Sequence, residues 1–156
     1  MTERSVHHET FVVERTYAAS PARVFAAWAD PETKARWFGG SDEANGEYEL
    51  DFRIGGRELS RGEAPDGEVY TYEARYHDIV PEERIVYVYD MHRDKTRISV
   101  SLTTVALKAE DAGTRLIYTE QGAFLDGEDK PEYREQGTGS LLDALGAELG
   151  RQPATA

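Results

Sequence analysis

From Gly46 to Gln121 the chain alternates apolar and polar residues in short runs broken by Gly, Pro and Asp, and a period of two sustained over that length dictates an antiparallel meander. Tyr48, Leu50, Phe52 and Ile54 fall on one side of the first run, with Glu47, Glu49, Asp51 and Arg53 on the other. Gly55-Gly56 predicts a turn, and Arg57 to Glu63 a second strand. After the turn signal Ala64-Pro65-Asp66-Gly67, Tyr70, Tyr72, Ala74 and Tyr76 share a face opposite Thr71, Glu73 and Arg75. Val80-Pro81-Glu82-Glu83 turns the chain again into Arg84 to Met91, whose two sides are both apolar for part of its length, so its facing stays open. Lys95 to Lys108 alternates through Ile98, Val100 and Leu102, then slips phase to Val105 and Leu107, which predicts a β-bulge near Thr103-Thr104. Asp111-Ala112-Gly113 leads into a last strand, Thr114 to Gln121, with Leu116, Tyr118 and Glu120 on one face, and a loop from Gly122 to Lys130 follows.

The flanks change period. Thr10 to Tyr17 is rich in β-branched and aromatic residues and reads as a strand. Ser20 as cap and Pro21 at the first helical position open a short helix carrying Val24, Phe25 and Trp28; Asp30-Pro31 repeats the signal for Thr33 to Trp37, ending at Gly39-Gly40. Asp129-Lys130-Pro131 begins a closing helix with the stripe Leu141, Leu142, Leu145 and Leu149. With no internal repeat or linker, the 156 residues are expected to form one α+β domain: a curved antiparallel sheet of about six or seven strands under two short helices and a long one.

A bulged, twisted sheet is concave, and a straight helix laid across it leaves space unless large side chains fill it. Gly137 and Gly139 thin the closing helix, while Tyr70, Tyr72, Tyr76 and Tyr118 bring hydroxyls inward that need partners, which water or a ligand could supply. The expected site is therefore an internal cavity for a small hydrophobic or aromatic molecule. Its candidate lining is Leu50, Phe52, Tyr70, Tyr72, Tyr76, Tyr87, Tyr89, Tyr118, Glu120, Phe124, Leu141 and Leu145. Trp28, Trp37 and Phe38, on or just after the short helices, are candidates to gate it.

Composition removes other chemistries. The absence of cysteine excludes thiolate nucleophiles, disulfides and thiolate-bound metals. A net charge of −12 opposes nucleic acid and anionic lipid surfaces as partners. His7, His8, His77 and His92 have no metal-ligand spacing, and Asp126-Gly127-Glu128-Asp129 is too short for a calcium loop, so no metal or other cofactor is expected. No run is long enough for a bilayer span, and Met1 to Ser5 lead into no apolar segment, so a cytoplasmic location is expected. No G-x-S-x-G elbow occurs, and Gly137-Thr138-Gly139-Ser140 lacks the lysine and the preceding strand of a phosphate loop. Glu120 is the most informative carboxylate, because alternation puts it on the face of Leu116 and Tyr118, either as an anchor paired with an arginine at the cavity mouth or, with a tyrosine, as an acid–base group for a cyclase or hydrolase.

Three segments carry a resemblance. Phe11 to Tyr17, Ser20 to Trp28, and Asp30-Pro31-Glu32 with Arg36-Trp37-Phe38 resemble the opening of the SRPBCC (START-like, Bet v 1-like) superfamily, nearest to the branch named after the activator of Hsp90 ATPase. Asp51 to Gly56 and Thr119 to Phe124 look like the same branch's strand-and-turn and last-strand motifs. The resemblance, from about Thr10 to Leu149, implies a helix-grip fold with a hydrophobic cavity for lipids, sterols, polyketides or other apolar molecules. It also implies two alternatives: some relatives are cyclases, and the namesake stimulates a chaperone ATPase, so a chaperone partner is a further expectation.

Overall fold

A computed structural model describes residues 3–38 and 47–151. Strand β1 (Val6–Tyr17) leads to α1 (Pro21–Ala29) and α2 (Pro31–Trp37). Strands β2 (Glu47–Leu50), β3 (Arg57–Glu63), β4 (Val69–Val80), β5 (Arg84–Arg93), β6 (Thr96–Glu110) and β7 (Gly113–Leu125) follow, and α3 (Pro131–Arg151) closes the chain. The seven strands form one antiparallel sheet in the order β1-β7-β6-β5-β4-β3-β2, so the meander runs to β7 and β1 adds beside it. This is the expected α+β, helix-grip arrangement.

The local signals act through identifiable atoms. Ser20 Oγ accepts from the Arg23 N–H at 3.2 Å, and Asp30 Oδ2 accepts from the Thr33 N–H at 3.0 Å, each ahead of a first-turn proline. The expected end of α2 at Gly39-Gly40 lies outside the described residues. Gly55 and Gly67 sit at φ of 84° and 89°, which explains glycine at those two turns.

Four expectations need correction. The run 47–54 is a strand only to Leu50: the Gly56 N–H bonds back to the Arg53 carbonyl, so the chain turns early and Ile54 stays 60% exposed. The β6 irregularity lies between Met91/His92 of β5 and their partners Ser99 and Arg97, not at Thr103-Thr104. Ile98 and Ser99 therefore both point inward, and the alternation restarts from Ser99, placing Ser101, Thr103, Val105 and Leu107 inside. Val100 and Leu102, expected inside, face outward and are partly exposed. Finally, the expected loop from Gly122 is strand as far as Leu125; a Cβ at Gly122 would stand 2.7 Å from the Phe124 ring, so glycine there accommodates a packed aromatic rather than breaking the ladder. A second register shift between Tyr76 and Asp78 adds to the curvature.

The helices are fixed to the inner face unevenly. Toward its C-terminus α3 buries Leu142, Leu145 and Leu149; Tyr17 Oη donates to the Leu142 carbonyl at 2.7 Å and Arg23 Nη2 to that of Leu149 at 2.9 Å. At α2 the central feature is one the sequence did not announce. Lys34 and Glu58 are fully buried, with Nζ 2.8 Å from Oε2. The ammonium lies 4.2 Å from the Phe38 ring centroid and 4.8 Å from that of Trp28. Glu58 also accepts from Tyr48 and, at 2.8 Å, from Tyr76. Among the described residues no helix is long and apolar enough to cross a membrane.

Removing one member of this pair strands the other away from water. Lys34→Met is expected to lower stability in urea unfolding by about 3–5 kcal/mol. Lys34→Met combined with Glu58→Leu should recover part of that loss, the remainder reflecting the acceptor withdrawn from Tyr48 and Tyr76. A single variant as stable as the parent would show that the pair does not hold α2 to β3.

Candidate functional site

The two sides of α3 differ in how closely the protein approaches them. At Gly146 a Cβ would meet the Tyr17 ring at 3.2 Å, so helix and β1 are in close contact there, whereas a Cβ at Gly137, half a turn round the helix, would find nothing within 4 Å. On the Gly137 side lies a cavity of about 400 Å³. The helix contributes Tyr133, Arg134, Gly137, Thr138 and Leu141, spaced to share one face; Asp129 precedes them. Opposite stand Ser60 and Gly62 of β3, Tyr70 and Tyr72 of β4, Tyr89 and Met91 of β5, Ile98 of β6 and Tyr118 of β7, with Phe38 at one side. Gly139, expected to thin the same face, instead lies beside Arg15, whose guanidinium would stand 3.1 Å from its Cβ.

Of the residues singled out in the sequence, Phe38, Tyr70, Tyr72, Tyr89, Tyr118 and Leu141 meet at this cavity. The others are placed elsewhere. Trp28 and Trp37 pack edge to face at 4.9 Å in the core, and Trp37 Nε1 donates to the Ala27 carbonyl, so neither gates an opening. Tyr76 packs against Phe52 at 5.0 Å and Tyr87 at 5.6 Å, which fills the space around the two tyrosines. Leu50 joins them as a partly buried core residue, and Leu145 is fully buried. Phe124 lies beneath the guanidinium of Arg134, 5.2 Å away. Ser60, Gly62, Met91, Ile98, Asp129, Tyr133, Arg134 and Thr138 were missed. Two signals pointed to some of them: Ser60 and Gly62 continue the face of Glu58 at a period of two, and Met91 continues that of Ile85, Tyr87 and Tyr89.

The hydroxyls of Tyr76, Tyr89 and Tyr118 have partners within the protein rather than waiting for a ligand. Glu120, fully buried, accepts from Tyr89 Oη at 2.7 Å and Ser101 Oγ at 2.7 Å on Oε2, and from Tyr118 Oη at 2.9 Å on Oε1. Arg134 completes the set: Nη1 donates to Tyr89 Oη at 2.9 Å and approaches Glu120 at 3.3 Å, while Nη2 donates to Ser99 Oγ and Asp129, both at 2.8 Å. Glu120 is thus an anchor paired with an arginine, one of the two roles expected of it, and it fixes the rings that form the cavity wall.

Burial raises the phenol pKa of Tyr17, Tyr48, Tyr72, Tyr76, Tyr87, Tyr89 and Tyr118, with the neighbouring carboxylates Glu58 and Glu120 adding to it at most of them. Each stays protonated in the folded chain above its ordinary value of 10.0 while the unfolded chain ionises. Their contribution to stability is therefore complete below pH 10 and is lost as the pH rises beyond it. Lys34, whose pKa burial lowers, acts in the opposite sense below its ordinary 10.5, but it is one base against these phenols. In an alkaline titration, tyrosinate absorbance from these residues is expected to rise together with the loss of near-ultraviolet circular dichroism. Absorbance from most of the tyrosines rising well ahead of unfolding would show their hydroxyls open to solvent.

The model of the family described as activator of Hsp90 ATPase homolog 1-like protein matches residues 18–150. Among solved structures, an uncharacterized protein from Rhizobium leguminosarum is 48% identical with a TM-score of 0.92, over 97% of this chain and 100% of that one. The Mll3558 protein from Rhizobium loti is 51% identical with a TM-score of 0.87, over 92% of this chain and 99% of the other. The CV1439 protein from Chromobacterium violaceum is 26% identical, with a TM-score of 0.75 over 92% and 98% of the two chains. Comparison with curated proteins gives no match.

Proposed function

The chain belongs to the activator of Hsp90 ATPase homolog 1-like family, and on that premise we propose that it binds a small apolar or aromatic molecule in the cavity between α3 and the sheet. The observation that carries this reading is the cavity itself. About 400 Å³ walled by Phe38, Tyr70, Tyr72, Tyr89 and Leu141 falls within the roughly 300–1,000 Å³ and the aromatic, sparsely polar character of small-molecule sites. The wall is also preformed: Tyr89 and Tyr118 are held by Glu120, and the Tyr72 ring packs at a tilt against Tyr89, 4.6 Å between centroids, so little ordering remains for a ligand to impose. Glu120 spends its oxygens on protein donors and is absent from the cavity surface, which favours binding over the acid–base reading.

Gly137 offers the direct test, because it lines the cavity and a Cβ there would meet no protein atom within 4 Å. Gly137→Ala should stabilise the fold by about 0.5–1 kcal/mol in urea unfolding, the ordinary gain over glycine within a helix. Gly137→Leu should keep the fold yet weaken binding of aromatic and aliphatic amphiphiles at least about tenfold, read by native mass spectrometry and thermal shift against the parent. If no such compound binds the parent, or if binding is indifferent to Gly137→Leu, the cavity is not the site.

A further inference from the structure

The cavity's polar end carries more than a hydrogen-bonding handle. Among the described residues Arg134 is its one cationic lining residue, and an arginine facing an apolar pocket ordinarily suggests a ligand carboxylate. Here the guanidinium is already committed. Of its five possible donors, the two on Nη1 go to Tyr89 and Glu120 and the two on Nη2 to Ser99 and Asp129. Its side chain is only 9% exposed, and its plane is held between the rings of Phe124 and Tyr89. Beyond the single Nε–H, a carboxylate from a ligand would have to displace a bond from a buried or half-buried partner, so it cannot take the two-pronged grip an arginine ordinarily offers.

The charge balance points the same way. Two carboxylates, Glu120 and Asp129, stand on one guanidinium, at 3.3 Å and 2.8 Å. Asp129 is the member that lines the cavity. Its neighbour Lys130 is exposed to solvent over the Tyr133 ring and is screened there. An incoming anion meets one carboxylate more than the guanidinium balances, whereas a protonated amine meets Asp129 and the rings of Tyr70, Tyr72 and Tyr133.

Resting on the binding reading above, we infer that the cavity selects its ligand by charge, accepting neutral and cationic aromatic molecules, with a protonated amine seated beside Asp129, and excluding carboxylates. Fatty acids and aromatic acids are then the wrong class despite the apolar walls. Specificity here comes from what Arg134 withholds as much as from what Asp129 offers.

Three probes sharing one ring system separate the possibilities: naphthylmethylamine, naphthalenemethanol and naphthoate, measured at neutral pH by calorimetry and thermal shift. The amine and the alcohol are expected to bind, with the amine at least about tenfold tighter than naphthoate. Asp129→Asn, which keeps the shape and removes the charge, should narrow the amine-to-acid ratio several-fold. Glu135→Gln, the same charge change in the groove between β1 and α3 outside the cavity, should leave the ratio alone. Naphthoate binding as tightly as the amine overturns the inference while sparing the binding site. So does an equal effect of the two variants, since the bias would then belong to the whole acidic molecule. Binding of none of the three, in a protein that also ignores the wider amphiphile series, removes the site itself and the inference with it.

Discussion

Glu58 and Glu120, two carboxylates with no exposure to water, organise the interior of this molecule, and the positions of its helices follow from how each is compensated. A buried carboxylate persists as a folded-state feature only where enough donors surround it. Glu58 receives the ammonium of Lys34 and the hydroxyls of Tyr48 and Tyr76, which ties α2, β2 and β4 to one point on β3. Glu120 receives Tyr89, Ser101, Tyr118 and Arg134, which ties β5, β6 and α3 to one point on β7. The aromatic face is thus not a loose oily surface; its rings are held by their polar ends, and the apolar portions that remain form the cavity wall.

The inner face is consequently more polar than its place in the fold suggests. Ser99, Ser101 and Thr103 are buried while Val100 and Leu102 face out, an inversion produced by the single extra residue at Ile98. Ser99 and Ser101 then serve as the acceptor for Arg134 and the donor to Glu120. One bulge therefore has two effects, bending β6 and supplying the small hydroxyls that the charged cluster under α3 requires.

Much of this fold was legible in the sequence because its signals are local. Capping residues, first-turn prolines, turn glycines and strict alternation each act over a few positions, and they placed α1, α2, β3, β4 and the start of α3 within a residue or two. What depends on a partner distant in the chain was not legible. Lys34 reads as an ordinary exposed helix lysine until β3 brings Glu58 against it, and Arg134 reads as a surface charge until three strands surround it. The bulge was misplaced for a related reason: Val100 and Leu102 have the hydrophobicity of inward residues, and only the register with β5 shows that they are not. At the cavity, alternation identified the tyrosines of the sheet but could not say which would be walled in by neighbours such as Phe52, nor which residues of α3 would look across at them.

The uneven seating of α3 has a mechanical consequence. Its C-terminal half is clamped by three leucines and by carbonyl bonds from Tyr17 and Arg23, while its first turns rest on Arg134 and span Gly137 and Gly139. The first turns are held through one side chain, so freeing them means breaking the bonds of Arg134 to Tyr89, Glu120, Ser99 and Asp129 together.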